Sequence, residues 1–422
     1  MSGHTVYTSK QGPSRFQRLP GLSSSLSPYW QQRLISAAAK RSKKRPLQSR
    51  SKPEHRGKPG GGFGSLSSGG GSSSPATKPA TIFPLPEDVR RGDQLPWTTC
   101  GNFSLALQRL LPYQDENFSQ IDKKNLWRDL VTLADRLRNK GSARHGWDRQ
   151  QALIDTLNDV SGLEVWASPA ETKARLSVGF GNTTPLETGL TLHRLYGVPY
   201  LPGTALKGLC RSWALEELAA KYRIPRLQPL EIKNLHDSKP KKLTPLELLE
   251  KLVLFPGVGK DARTLQKELK KIQAEMQKTW QDVQGKGYPE PALNSNQKSV
   301  FDVWEAEESC QYRQIFGSQE CRGEVCFYDA FPKVDKQLFQ LDIINVHYQP
   351  YYGSEGQEPP ADYYSPVPNY FLTVAPEVTF QLLLTSLDRE LLDKAAAWLT
   401  EALATFGLGA KTALGYGEMA VA

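Results

Sequence analysis

The sequence holds no apolar run approaching the ~20 residues that a membrane-spanning helix requires, so no membrane partner is expected. Its first residues lack the compact apolar segment of a secretory signal. Cysteine is scarce and odd in number, five in 422 residues. That argues against a disulfide framework and points to a reduced, cytoplasmic compartment. Histidine is also scarce: His4, His55, His145, His193, His236 and His347 form no His-x3-His pair, and no Cys-x2-Cys pair exists. Cys310, Cys321 and Cys326 lack zinc spacing, so they read as structural thiols and no metal is expected. No Gly-x-Ser-x-Gly nucleophile motif occurs. Nucleotide signatures fail on detail. Ala410 stands where a P-loop needs the glycine before Lys411 and Thr412, and the Gly-Val-Gly-Lys run at 257–260 is followed by Asp261. A dinucleotide fingerprint needs a third glycine where Thr412 stands, and a strand before the loop. No cofactor is therefore expected.

Positive charge is present but unevenly spread. The net charge is +9, yet residues 1–80 alone carry 14 Lys/Arg against one acid, Glu54. The other 342 residues hold 39 Lys/Arg and 43 Asp/Glu, a slightly acidic body. Nucleic acid can therefore meet that body only at a local patch. Residues 1–80 read as a disordered tail. The stretch 60–74 is nearly all Gly and Ser, a flexible linker, and one short helix is expected at 29–39. The cluster Lys40, Arg41, Lys43, Lys44 and Arg45 suits nonspecific phosphate contact or plain solvation.

From Pro84 onward the composition is globular. Helices are expected at 104–111, 125–139 and 148–158, the second carrying Leu126, Leu130, Leu133 and Leu137 at helical spacing. Strand-like segments follow at 163–167 and 173–180, then a helix at 204–222. Residues 225–296 read as an insertion with helices at 245–254 and 262–281, the latter rich in lysine (Lys267, Lys270, Lys271, Lys278). Strands are expected at 324–330, 340–346, 370–375 and 377–386, a helix at 388–406 and a last strand at 417–421. The expected organisation is thus a tail (1–80), a helical N-terminal extension (81–160) and a domain over 161–422 with a helical insertion. Without extension and insertion, the order is strand, helix, several strands, helix, strand. That is the α+β order of a split βαβ, ferredoxin-like (RRM-like) domain, with an antiparallel sheet and two helices on one face.

Three segments can carry chemistry. In the first, 192–211, Pro199 and Pro202 prevent helix before Gly203, and Thr204 can cap the helix that follows, leaving N–H groups that favour an anion. Lys207 and Arg211, four apart, lie on one helix face. In the second, 406–417, Gly407, Gly409, Gly415 and Gly417 let backbone approach a phosphate chain, while Lys411 adds charge and Thr412 a hydroxyl. The third, 316–332 with 342–352, sets aromatics beside Asp342 and His347, which suits base stacking or an ordinary strand core. His193 or His347 is conceivable as a general base, but spacing supplies no acid partner.

Taken together, these segments resemble the RAMP (repeat-associated mysterious protein) superfamily of CRISPR systems, whose hallmark is a glycine-rich loop between the last helix and last strand. The loop 407–417 matches it in place and type, and the resemblance covers about 160–422. It implies a non-catalytic structural subunit of a type III-B (Cmr) RNA-guided antiviral complex. Its partners would be crRNA, target RNA and the other RAMP subunits of the Cmr complex. The RNA-binding residues implied are Lys207, Arg211, Gly407, Gly409, Lys411, Thr412, Gly415 and Gly417. Two rivals stand beside this reading: a RAMP endoribonuclease that cuts crRNA precursors, and a purely protein-bridging module.

Overall fold

A computed structural model describes residues 82–85, 100–225 (apart from 116, 124, 139–140, 183 and 187), 244–256, 262–283, 291, 293 and 299–422 (apart from 355). The tail 1–80, with its basic cluster, linker and expected helix, lies outside the described residues, as do His236 and the run 257–261.

Helix α1 (Phe103–Arg109) starts where the Asn102 side chain accepts from the Leu105 N–H at 3.1 Å. Helix α2 (Leu126–Arg138) buries Leu126, Leu130, Leu133 and Leu137, the stripe its sequence period announces. A 3₁₀ turn (Gly141–Arg144) runs into α3 (His145–Asn158), and strand β1 (Glu164–Thr172) follows. Helix α4 spans Gly203–Lys221. The segment read from sequence as an insertion contributes α5 (Pro245–Val253) and α6 (Ala262–Val283). A reciprocal capping box between Thr244 and Glu247 begins α5. Helices α7 (Val300–Glu305) and α8 (Glu307–Phe316) precede strands β2 (Cys326–Phe327) and β3 (Phe339–Val346). Then come α9 (Gln349–Gly353), β4 (Val367–Val374), β5 (Thr379–Ser386), α10 (Arg389–Thr405) and β6 (Met419–Val421).

The class is α+β, as expected. One antiparallel sheet has the order β2-β5-β1-β6, and β3 and β4 form a separate antiparallel pair. The full ladder of β1 runs along β5 and pairs Trp166 with Leu384 and Ala170 with Phe380. Helix α10 packs on α4 and lies against β1, β5 and β6. On the other face Gln150 of α3 donates to the carbonyls of Asp329 and Gln381 at 2.9 and 3.0 Å. Seven of the eight residues of β5 are buried, the apolar Phe380, Leu382, Leu383 and Leu384 together with the polar Gln381, Thr385 and Ser386. Buried side chains form one cluster from Phe103 and Leu130 through Leu206, Leu249 and Ile272 to Leu399 and Met419.

Several expected boundaries move. The first strand does not stop at 167 but continues through Pro169 to Thr172, whereas 173–180 holds only one isolated bridge, Leu176 to Val374. Proline is tolerated because its absent N–H faces Ala422, whose carbonyl accepts from the Ser168 hydroxyl at 3.0 Å instead. The Pro169 carbonyl still accepts from the Ala422 N–H at 3.0 Å. The strand expected at 324–330 shrinks to two residues. Helices α7, α8 and α9 have no counterpart in the sequence reading.

Candidate nucleic-acid interface

The glycine loop leaves α10 at Phe406, which packs edge-on against Trp213 of α4 at 4.9 Å. Gly407, Gly409, Gly415 and Gly417 all have positive φ (70°, 91°, 92° and 77°), and so does Lys411 at 61°. Their first role is internal. The Leu408 N–H donates to the Gly417 carbonyl at 2.8 Å and closes the loop on itself. The N–H groups of Ala410 and Gly417 donate to the carbonyls of Ser177 and Arg175 at 2.7 and 2.8 Å. A Cβ on Gly409 would lie 2.3 Å from the Ser177 oxygen, and one on Gly417 only 2.0 Å from the Leu408 oxygen. The glycines therefore admit neighbouring backbone. At the tip, the N–H groups of Gly409, Lys411, Thr412 and Ala413 donate to no backbone carbonyl among the described residues.

Lys411 does not simply extend into solvent. Its Nζ lies 4.5 Å from the Phe371 ring centre, 5.1 Å from Tyr416 and 5.7 Å from Phe180, a cage of π faces. Burial holds its amine below the usual lysine range, against the pull of Asp342. Asp342 of β3 accepts from the Tyr416 hydroxyl and pairs with Arg175 at 2.9 Å. Burial pushes the Asp342 carboxyl up, but bonds from Tyr416, the Ile343 N–H and Arg175 together hold it below the ordinary carboxylate value. The structure thus brings the glycine loop and the Asp342 segment to one place. Sequence reasoning missed Arg175, Phe180, Phe371 and Tyr416; of these only Tyr416, set between two loop glycines, carried a local signal.

The start of α4 departs from expectation. Thr204 does not cap it. The Gly203 N–H donates to the Asp329 carboxylate at 2.7 Å, so an internal anion occupies the helix end proposed for an external one. Lys207 and Arg211 do share a helix face, but their surroundings differ. Arg211 pairs with Glu250 of α5 at 3.0 Å and donates to the Tyr312 hydroxyl at 3.3 Å. Lys207 makes no ion pair among the described residues. Burial lowers its amine's pKa, and the nearby charges of Arg211 and Arg322 lower it further. Arg322, exposed, donates to the Cys326 sulfur at 3.1 Å. No hydrogen bond or ion pair joins the Lys207 group to Lys411 among the described residues.

The two candidate bases stand in unlike settings. His193 stacks on Tyr196 at 4.4 Å and meets Tyr200 and Phe331 edge-on at 5.5 and 5.2 Å. Its Nδ1 accepts from the Tyr196 N–H at 3.4 Å, and burial lowers its pKa although Asp329 opposes this. His347 is exposed beside Tyr348. The five cysteines are free thiols. Among the described residues no group of three or more His, Cys, Asp or Glu could hold a metal ion, and no helix is long and apolar enough to cross a membrane.

A split antiparallel sheet closed by a glycine-rich turn is the setting in which the sequence matches fall. The RAMP superfamily model matches residues 170–420, and the chain belongs to that superfamily. Within it, the chain is 34% identical over 275 residues to the CRISPR system Cmr subunit Cmr6 of Pyrococcus furiosus, covering 64% of this chain and 71% of that protein. It is 35% identical over 104 residues to the Cmr6 subunit of Saccharolobus solfataricus, covering 24% of this chain and 34% of that one. Among solved structures, Cmr6 from Pyrococcus furiosus aligns at 27% identity and TM-score 0.34, over 62% of this chain and 98% of that one. The Type III-B Cmr-beta complex bound to cognate target RNA aligns at 17% identity and TM-score 0.39, over 71% of this chain and 75% of that chain.

Proposed function

We propose that this chain is a non-catalytic, RNA-binding structural subunit of a type III-B CRISPR effector complex in the cytoplasm. In this reading it holds crRNA and the guide–target duplex near the head of the filament, beside other RAMP subunits. The observation that carries the reading is the sequence kinship with Cmr6 across most of that protein's length. The reading takes the domain from 161 onward as ferredoxin-like, in line with the strand order β2-β5-β1-β6 and two helices on one face. Residues 81–160 then form a helical extension, 225–296 an insertion and 1–80 a basic tail.

RNA phosphates would meet the N–H groups at the loop tip, with Lys411 and Thr412 beside them and Lys207 on a second patch. Such contacts position RNA without reading its sequence, which guide–target pairing supplies. Gly407, Gly409, Gly415 and Gly417 act by giving the loop its shape. Arg211 contributes only by leaving Glu250.

The test is reconstitution of the complex with Lys207→Ala and Lys411→Ala, measuring co-purified crRNA. Each change should lower retention modestly, and both together more. Retention equal to wild type in the double variant would sink the site. The endoribonuclease rival is examined with labelled repeat RNA: metal-independent cleavage that disappears in His193→Ala would replace the present reading.

A further inference from the structure

Between residues 337 and 388 the chain contains no lysine or arginine, but six carboxylates. The middle of this stretch, 343–370, is the distal part of the β3–β4 pair together with α9 and the loop to β4. Among its described side chains none is buried. It holds six of the chain's 16 tyrosines, Tyr348, Tyr351, Tyr352, Tyr363, Tyr364 and Tyr370. Tyr352, Tyr363 and Tyr370 are 67%, 79% and 41% exposed, and Ile343, paired across the ladder with Tyr370, is 41% exposed. A two-stranded hairpin without a core of its own is marginal in water. Here only its base is anchored, through buried Phe339, Phe371, Leu372 and Val374. Tyr348 and Tyr364 brace the arm from within by donating to Asp362 and Glu358, both at 3.3 Å.

We propose that this arm is a docking surface for a protein partner presenting lysine and arginine, seated on the exposed tyrosines and met by the exposed carboxylates Glu358 and Asp362 of the same arm. The charge decides against RNA. A surface with no cation releases no counterions and repels phosphate. The same surface offers carboxylates and π faces to Lys and Arg. Exposed tyrosines also give large contact area at small entropic cost. The proposal rests on the reading of the chain as a subunit of a multi-protein effector.

The experiment titrates each purified fellow subunit of the complex onto the full chain and measures binding of labelled crRNA to the same proteins. The variants are Glu358→Lys with Asp362→Lys, and Tyr352→Ser with Tyr370→Ser, which leaves the internal braces intact. Hydrogen exchange of β3 and β4 checks that the arm remains formed. Both variants should bind one basic subunit at least tenfold more weakly, with crRNA binding unchanged. Lys→Glu or Arg→Glu changes on that subunit should restore binding to the charge-reversed variant. Protein association at wild-type strength in both variants would overturn the arm alone. So would loss of crRNA binding without loss of protein binding, which would make the arm an RNA element. Loss of arm protection when residues 1–80 are deleted from the isolated chain would assign the surface to the chain's own basic segment instead. If even the wild type associates with no fellow subunit, both this proposal and the effector reading fail.

Discussion

Lys411 occupies a left-handed backbone position, φ 61°, that non-glycine residues adopt rarely, and carries its charge into three aromatic faces. Charge and loop shape are therefore separable there. Lys411→Met keeps a flexible apolar chain against Phe371 and removes the cation. It should leave melting nearly unchanged while the salt slope of RNA binding falls by about one unit. Gly409→Val acts differently, because its Cβ would collide with the Ser177 carbonyl. Strain at such a position costs about 1–3 kcal/mol, so the melting temperature should drop whether or not RNA is present. The Asp342 carboxylate adds a pH dependence. Its pKa is lower folded than unfolded, so its contribution is present above 3.8, the ordinary value, and is lost as pH falls through the lower folded value. Near-ultraviolet circular dichroism of Tyr416 and its neighbours in an acid titration should show that loss, and Asp342→Asn should abolish the step.

At the scale of elements, the lysine-rich helix α6 turns Leu269, Ile272 and Met276 inward and leaves Lys267, Lys270, Lys271 and Lys278 exposed. Changing Lys267, Lys270 and Lys271 to Glu should therefore leave thermal stability within a few tenths of a kcal/mol while weakening RNA binding or assembly; wild-type behaviour in both would mark the face as merely solvated. Helices with a clear apolar stripe, such as α2, α5 and α10, were legible to within one or two residues. The stretch that forms α7 and α8 was not. Its polar Glu-Glu-Ser-Cys-Gln run hides the stripe, although Ser299 and Asp302 form a capping box. Strand ends were harder, because Pro169 looks like a stop until the Ser168 hydroxyl is seen to replace its donor. The candidate site was half legible. The glycines announce a tight loop by themselves, whereas the anions that meet Gly203 and Arg211 come from Asp329 and Glu250, 126 and 39 positions away. Local spacing carries no trace of such pairings.

For the molecule as a whole, charge is segregated between a basic tail and a slightly acidic body. Deleting residues 1–80 should leave the melting temperature unchanged and flatten the salt dependence of RNA binding, measured at two or more salt concentrations. A large fall in melting temperature would mean that the tail belongs to the fold. The main sheet has a further consequence. Its outer strands, β2 and β6, are two and three residues long and flank only short parts of the long ladder between β1 and β5. Short edges offer almost no free ladder for another strand. Growth of cross-strand polymers from concentrated or partly unassembled protein therefore has little to template on at β2 and β6, in contrast to β1 before Pro169, which β6 does not reach.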